Sequence, residues 1–135
     1  MEPFTLMAQS RGQTLTLDAA ENVTLKGDKR ALEQLCSILA DNAVKYTPKN
    51  GHIAFTLRRR GRKVVLTEEN DAEGLTQGSQ KQLFDRFYRG DQSRSSQKPG
   101  YGIGLSMAQS ITAAHGGKID AVSKDGKLLT ITVQF

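Results

Sequence analysis

The 135-residue sequence specifies an α+β domain, a two-layer α/β sandwich in which one mixed sheet of about five strands is covered on one face by helices. Three observations lead there. Short runs of alternating apolar residues are bounded by glycine and asparagine; two pairs of these runs sit back to back as hairpins; and stretches of helical periodicity separate the pairs. A chain of this length is the size of one domain and can bury a two-layer core without disulfide or metal staples.

Residues 1 to 12 read as the remnant of a preceding helix and linker, so the domain proper occupies 13 to 135. Residues 14 to 17 (Thr-Leu-Thr-Leu) and 23 to 25 (Val-Thr-Leu) read as two short strands. Asp28 is an N-cap for a helix running to about Tyr46, where Thr47-Pro48-Lys49-Asn50-Gly51 stops it. Leu32, Leu35, Leu39 and Asn42 fall on one stripe of that helix, which puts an asparagine on an otherwise apolar face. A hairpin follows over about 52 to 68, with Ile53, Phe55 and Leu57 before Gly61 and Val64, Val65 and Leu66 after it.

The segment Glu69 to Leu75 has turn composition. Ser79 and Gln82 form a capping box for a short helix through Phe87. Arg89 to Gly100 is polar and without apolar periodicity, which predicts a mobile lid. Gly100-Tyr101-Gly102-Ile103-Gly104-Leu105 then opens a helix whose stripe is Met107, Ala108, Ile111 and Ala114, and which ends at His115-Gly116-Gly117. Strands over about 118 to 123 and 128 to 134 complete a second hairpin.

The net charge of +5 raises the question of nucleic acid, and the densest basic run is Arg58-Arg59-Arg60-Gly61-Arg62-Lys63. Its place at the reversal of a hairpin makes it a solvated tip, and no nucleic-acid partner is expected. Cys36 is the single cysteine and lies in an apolar helical pattern, where a buried small hydrophobe in a reducing compartment is expected. No apolar run approaches the roughly 18 residues of a membrane span. The start Met1-Glu2-Pro3-Phe4 has no signal-peptide pattern, so this piece of chain is expected to be soluble.

A glycine-rich turn opening a helix presents free backbone N–H groups and the positive end of the helix dipole, and both suit a phosphate. Gly100, Gly102 and Gly104 make such a turn, which is neither a Walker loop nor a dinucleotide-binding fingerprint, since no Gly-Lys-Ser/Thr is present and a polar loop precedes it. Asn42 offers a hard oxygen ligand for magnesium; its ordinary reading is a backbone-bonded asparagine near a helix end. Lys45 and Tyr46, three and four residues on, add a cation for phosphate and an aromatic surface for a base or ribose, where a solvated lysine and a packing tyrosine are the ordinary readings.

The order of segments is more specific than any one of them. Asp41-Asn42-Ala43-Val44-Lys45-Tyr46-Thr47-Pro48 resembles the asparagine box of sensor histidine kinases, Leu83-Phe84-Asp85-Arg86-Phe87-Tyr88-Arg89 their phenylalanine box, and Gly100 to Leu105 their second glycine box. Ala114-His115-Gly116-Gly117-Lys118-Ile119 resembles the turn that follows, so the resemblance covers about residues 13 to 135. It implies the Bergerat-type ATP-binding fold of the gyrase, heat-shock chaperone, histidine kinase and MutL superfamily, with ATP and Mg2+ as cofactors. By resemblance Asn42 coordinates the magnesium, Lys45 contacts phosphate and Tyr46 lines the nucleoside pocket. Arg89 and Lys98 match basic positions that approach the terminal phosphate, where positive charge stabilises phosphoryl transfer, and the backbone from Gly100 through Tyr101, Gly102, Ile103 and Gly104 to Leu105 holds the phosphates.

Two departures matter. Where the family commonly has Asp-x-Gly-x-Gly, with the aspartate accepting from the adenine amino group, this chain has Asn70-Asp71-Ala72-Glu73-Gly74. Asn70 accepts without charge assistance, Asp71 is the alternative acceptor if the alignment shifts by one, and Ala72 makes the turn less permissive than glycine, with Gly74 retained. One helical turn before Asn42, where gyrase and the chaperones place a water-activating glutamate, stands Ile38, which cannot act as a general base. This favours a domain that protects ATP for a protein acceptor over a dedicated ATPase.

Neither His52, at a strand start, nor His115, at a helix end where capping is the simple reading, matches the family's phospho-accepting histidine. That acceptor lies on a separate dimerisation and histidine-phosphotransfer domain, so the resemblance implies a protein-histidine kinase catalytic domain cut from its substrate. It also implies a response-regulator partner and a cytoplasmic position in a membrane-bound bacterial sensor kinase. The alternatives are a degenerate module of the same fold used for protein interaction, motivated by Asn70 and Ala72, and an anti-sigma-type serine kinase.

Overall fold

The computed structural model describes residues 2–20, 23, 26–72, 75, 77–84 and 104–135. Within them the order is α1 (Glu2–Ser10), β1 (Thr14–Ala19), α2 (Lys29–Tyr46), β2 (His52–Arg60), β3 (Lys63–Asp71), β4 (Gly78–Ser79), a 3-10 turn (Lys81–Phe84), α3 (Gly104–Ala114), β5 (Lys118–Ser123) and β6 (Leu128–Gln134). The described strands form one six-stranded sheet in the order β1-β2-β3-β6-β5-β4. β1 is parallel to β2 and the other neighbours are antiparallel, so the sheet is mixed as expected. The strand beyond the expected five is β4, whose two residues pair with Ser123 and Val122.

Two local elements form where the residues direct. Asp28 caps α2 by accepting from the N–H groups of Arg30 and Ala31 at 3.0 and 3.4 Å. At its other end α2 leaves Thr47 extended before Pro48. The buried side chain of Gln13 donates to the carbonyls of Val44 and Thr47 at 3.1 and 2.7 Å, satisfying acceptors that a helix end leaves open. The β2–β3 hairpin closes at the Arg60–Lys63 pair, and Gly61 at φ +60 supplies the left-handed residue that a tight two-residue turn needs. Arg58, Arg59, Arg60, Arg62 and Lys63 are all exposed at this tip.

The core lies between the helices and one sheet face. Leu35, Leu39 and Ala43 of α2 and Ala108 of α3 meet Ile53, Phe55, Ile131 and Val133. The first helix joins it, with Ala8 fully buried and Phe4 packed against the cluster.

Several expectations are corrected. Glu69 to Asp71 are strand rather than turn: they pair with Thr130, Leu129 and Leu128 of β6, a partner far along the chain that local composition does not report. Ser79 belongs to β4, and Gln82 donates to the Gln80 side chain at 3.2 Å instead of closing a capping box. The buried face of α3 is Leu105, Ala108 and Thr112, whereas Met107 and Ala114 are exposed. Thr112 can enter the core because its hydroxyl donates to the Ala108 carbonyl at 2.8 Å. Cys36 is exposed on α2, not buried, and the shielding it does receive raises its pKa and disfavours the thiolate. Thr24 and Leu25, the end of the short helix at 85 to 87, and the lid at 89 to 100 lie outside the described residues.

Candidate functional site

Alternation along β3 turns Leu66, Glu68 and Asn70 toward the helical layer. Asn70 is 1% exposed. Its Nδ2 donates to the Asp71 carbonyl at 2.9 Å, which orients the amide and leaves Oδ1 buried with no partner. A buried acceptor of this kind costs free energy until a donor reaches it.

The second element is the last two turns of α2. Asn42 is half-buried there, and Lys45 pairs with Asp41 at 2.9 Å on the i, i+4 spacing. Tyr46, the last helical residue, is half-buried. The third is the start of α3: a Cβ built on Gly104 would stand 3.6 Å from Cγ2 of Ile38, so α3 begins against α2 one helical turn before Asn42. Leu105 next to it is buried at 8%. The N-terminal turn of α3 therefore lies beside α2, and a phosphate is the ligand that a helix N-terminus favours.

Gly74, Arg89, Lys98, Gly100, Tyr101, Gly102 and Ile103 lie outside the described residues. Asp71 is engaged elsewhere: its Oδ2 accepts from the backbone N–H of His52 at 2.7 Å and lies 3.3 Å from His52 Nδ1. His115 ties two helices together, with Nδ1 at 2.8 Å from the Ile111 carbonyl and Nε2 accepting from the Asp28 N–H at 3.1 Å. A proton on Nδ1 satisfies both contacts. An open concavity of about 600 Å³ lies next to the end of β3, lined by Pro48, Asp71, Ala72, Leu75, Asp125, Gly126 and Lys127. None of Asn42, Asn70 or Gly104 lines it.

Sequence reasoning missed Glu68. It is 0% exposed, and neither carboxylate oxygen has a partner. Burial pushes its carboxyl well above the usual carboxylate range, and the charge of Glu69 adds to the rise. A signal was present: if Asn70 faces inward on a strand, alternation turns Glu68 inward too. Reading residues 69 to 75 as a turn concealed it.

The residues present fit a nucleotide, with a buried oxygen for an exocyclic amino group, an asparagine oxygen for a hard cation, and a helix N-terminus for phosphate. Residues 27–135 match the family model of the histidine kinase-, DNA gyrase B- and HSP90-like ATPases, and the chain belongs to that family. Among its relatives it is 36% identical over 124 residues to the sensor protein CiaH of Streptococcus pneumoniae, covering 92% of this chain and 28% of CiaH. The chain thus spans under a third of the curated relative it matches. Its fold is shared with the catalytic domain of histidine kinase ThkA, at a TM-score of 0.79 and 19% identity over 99% of this chain and 86% of that one. It is shared also with full-length ShkA in complex with AMPPNP, at 0.81 and 21% over 98% and 27%.

Proposed function

We propose that this chain is the ATP-binding catalytic domain of a two-component sensor kinase, which holds Mg-ATP and presents its γ-phosphoryl group to a histidine on a separate dimerisation domain. The observation that carries the reading is the buried, unpartnered Oδ1 of Asn70, a fixed acceptor for the amino group of adenine. Its setting in a chain of this ATPase family supports it.

In this reading Asn42 is the protein ligand of magnesium, Lys45 exchanges part of its pairing with Asp41 for phosphate, and Tyr46 flanks the nucleoside. Gly74 belongs to the adenine end. The backbone from Gly100 to Leu105 binds phosphates at the start of α3, and Arg89 and Lys98 bring positive charge to the terminal phosphate. The bound metal neutralises charge on the transferring phosphoryl group. Ile38, apolar and in contact with the start of α3, offers no base to activate water, which keeps the phosphoryl group for the protein acceptor. The response regulator that receives it next, and a membrane-bound parent with this piece in the cytoplasm, complete the proposal. No helix among the described residues is long and apolar enough to cross a membrane.

Thermal unfolding with nucleotide tests the proposal, because a ligand at about 100 times its Kd adds roughly 2.7 kcal/mol of stability. ATP or ADP with magnesium is expected to raise Tm. Asn42→Asp is expected to abolish the magnesium-dependent part with the fold intact. A flat titration to millimolar nucleotide would favour a degenerate module, the reading that Asn70 and Ala72 motivate.

A further inference from the structure

Glu68 is the buried titratable group that this reading leaves without a role. It sits one pleat deeper on β3 than Asn70 and on the same face, about 7 Å along the strand from the rise of roughly 3.4 Å per residue. Its ladder neighbours are Phe55 and Ile131, both buried, and the buried residues that α2 and α3 turn toward the sheet, among them Leu39, Ala43, Ala108 and Thr112, include no titratable group. Thr112 spends its hydroxyl hydrogen on the Ala108 carbonyl. Three buried oxygens without partners, two on Glu68 and one on Asn70, therefore belong to residues two apart on this face of β3. A core position that a leucine would fill at lower free energy instead holds a carboxyl two residues from the acceptor that the nucleotide reading assigns to the base.

We propose that Glu68 is a positioning residue for the purine base, its carboxyl O–H donating to Oδ1 of Asn70, directly or through one water, so that the second lone pair of that oxygen faces the exocyclic amino group. The inference rests on the nucleotide reading above and adds to it a residue that acts through another. Two bonds then orient the Asn70 amide: Nδ2 to the Asp71 carbonyl at 2.9 Å and Oδ1 from Glu68. An oxygen has two lone pairs, so the base and Glu68 share it without competition. Burial favours the protonated carboxyl, the form that can donate.

The test measures binding of magnesium ADP to the wild-type chain and to Glu68→Gln, Glu68→Leu and Glu68→Met by titration calorimetry, with Tm recorded for each. A glutamine N–H replaces the donor, so Glu68→Gln is expected to bind within about threefold of wild type. The two apolar variants are expected to gain Tm and to bind at least about tenfold more weakly, which is about 1.4 kcal/mol. Purine riboside diphosphate, which lacks the 6-amino group, separates positioning from damage: it is expected to bind wild type and apolar variants alike. Equal affinity of wild type and either apolar variant for magnesium ADP overturns the inference, as does a loss that is the same for both nucleotides. Should Glu68→Leu fail to fold, Glu68→Met carries the comparison. A wild-type chain that binds neither nucleotide overturns the nucleotide reading itself, a result distinct from the others.

Discussion

A carboxyl enclosed by Phe55 and Ile131 holds its proton more tightly than the same carboxyl in the unfolded chain. The sign of the pH dependence follows. The folded pKa of Glu68 is raised above the ordinary value of 4.5, so on raising the pH the unfolded state releases its proton first. Stability is fullest below the ordinary carboxylate range and falls as pH rises toward the folded pKa. Denaturant midpoints measured from pH 4 upward are expected to show this decline in wild type and to lose it in Glu68→Gln. An identical slope in both would mean that Glu68 ionises freely in the folded protein. Asp125 works in the opposite direction, its carboxylate held below the usual range by the N–H groups of Lys127 and Leu128, but it is fully exposed and its effect is small. The placement of Asn42, Lys45 and Asn70 in recognisable segments was legible from the sequence. The burial of Glu68 was not, because the strand was read as ending there and the turn composition of Glu69 to Leu75 hid the register that Asn70 shares with it.

The elements that local signals describe formed as read: α2 from its Asp28 cap to its Thr47-Pro48 stop, the β2–β3 hairpin at Gly61, and β5 and β6. Those misread depend on distant partners. β3 runs on to Asp71 because Leu128 to Thr130 pair with it, and α3 presents Thr112 rather than Ala114 because its neighbours select the buried face. Gln13 is a further case, since no local pattern says that it will meet a helix end 31 residues away. Its two bonds to Val44 and Thr47 hold the end of α2 that carries Asn42, Lys45 and Tyr46. Gln13→Ala leaves two carbonyls short of a donor and is expected to cost about 1–3 kcal/mol, measured by urea unfolding. Unchanged stability would show that water reaches those carbonyls without strain.

The sheet order places the last strand of the sequence near the middle. β6 lies between β3 and β5, and its first pair with β3, Leu128 with Asp71, closes a span of 57 residues (128 − 71). Loop closure of that length comes before the contacts that reward it, which puts folding in the slower, non-local regime. During synthesis β1, β2 and β3 emerge before β6, the strand that pairs with the second edge of β3. A chain ending at residue 127 is expected to lack cooperative unfolding altogether, since Ile131 and Val133, both fully buried, would be missing from the core. Calorimetry on that truncation checks it, and a cooperative transition would show that the first three strands fold as a unit. If the transition is absent, the nascent chain presents an unpaired β edge until β6 has emerged, an interval in which a holding chaperone has a surface to grip and a second nascent chain has a strand to pair with.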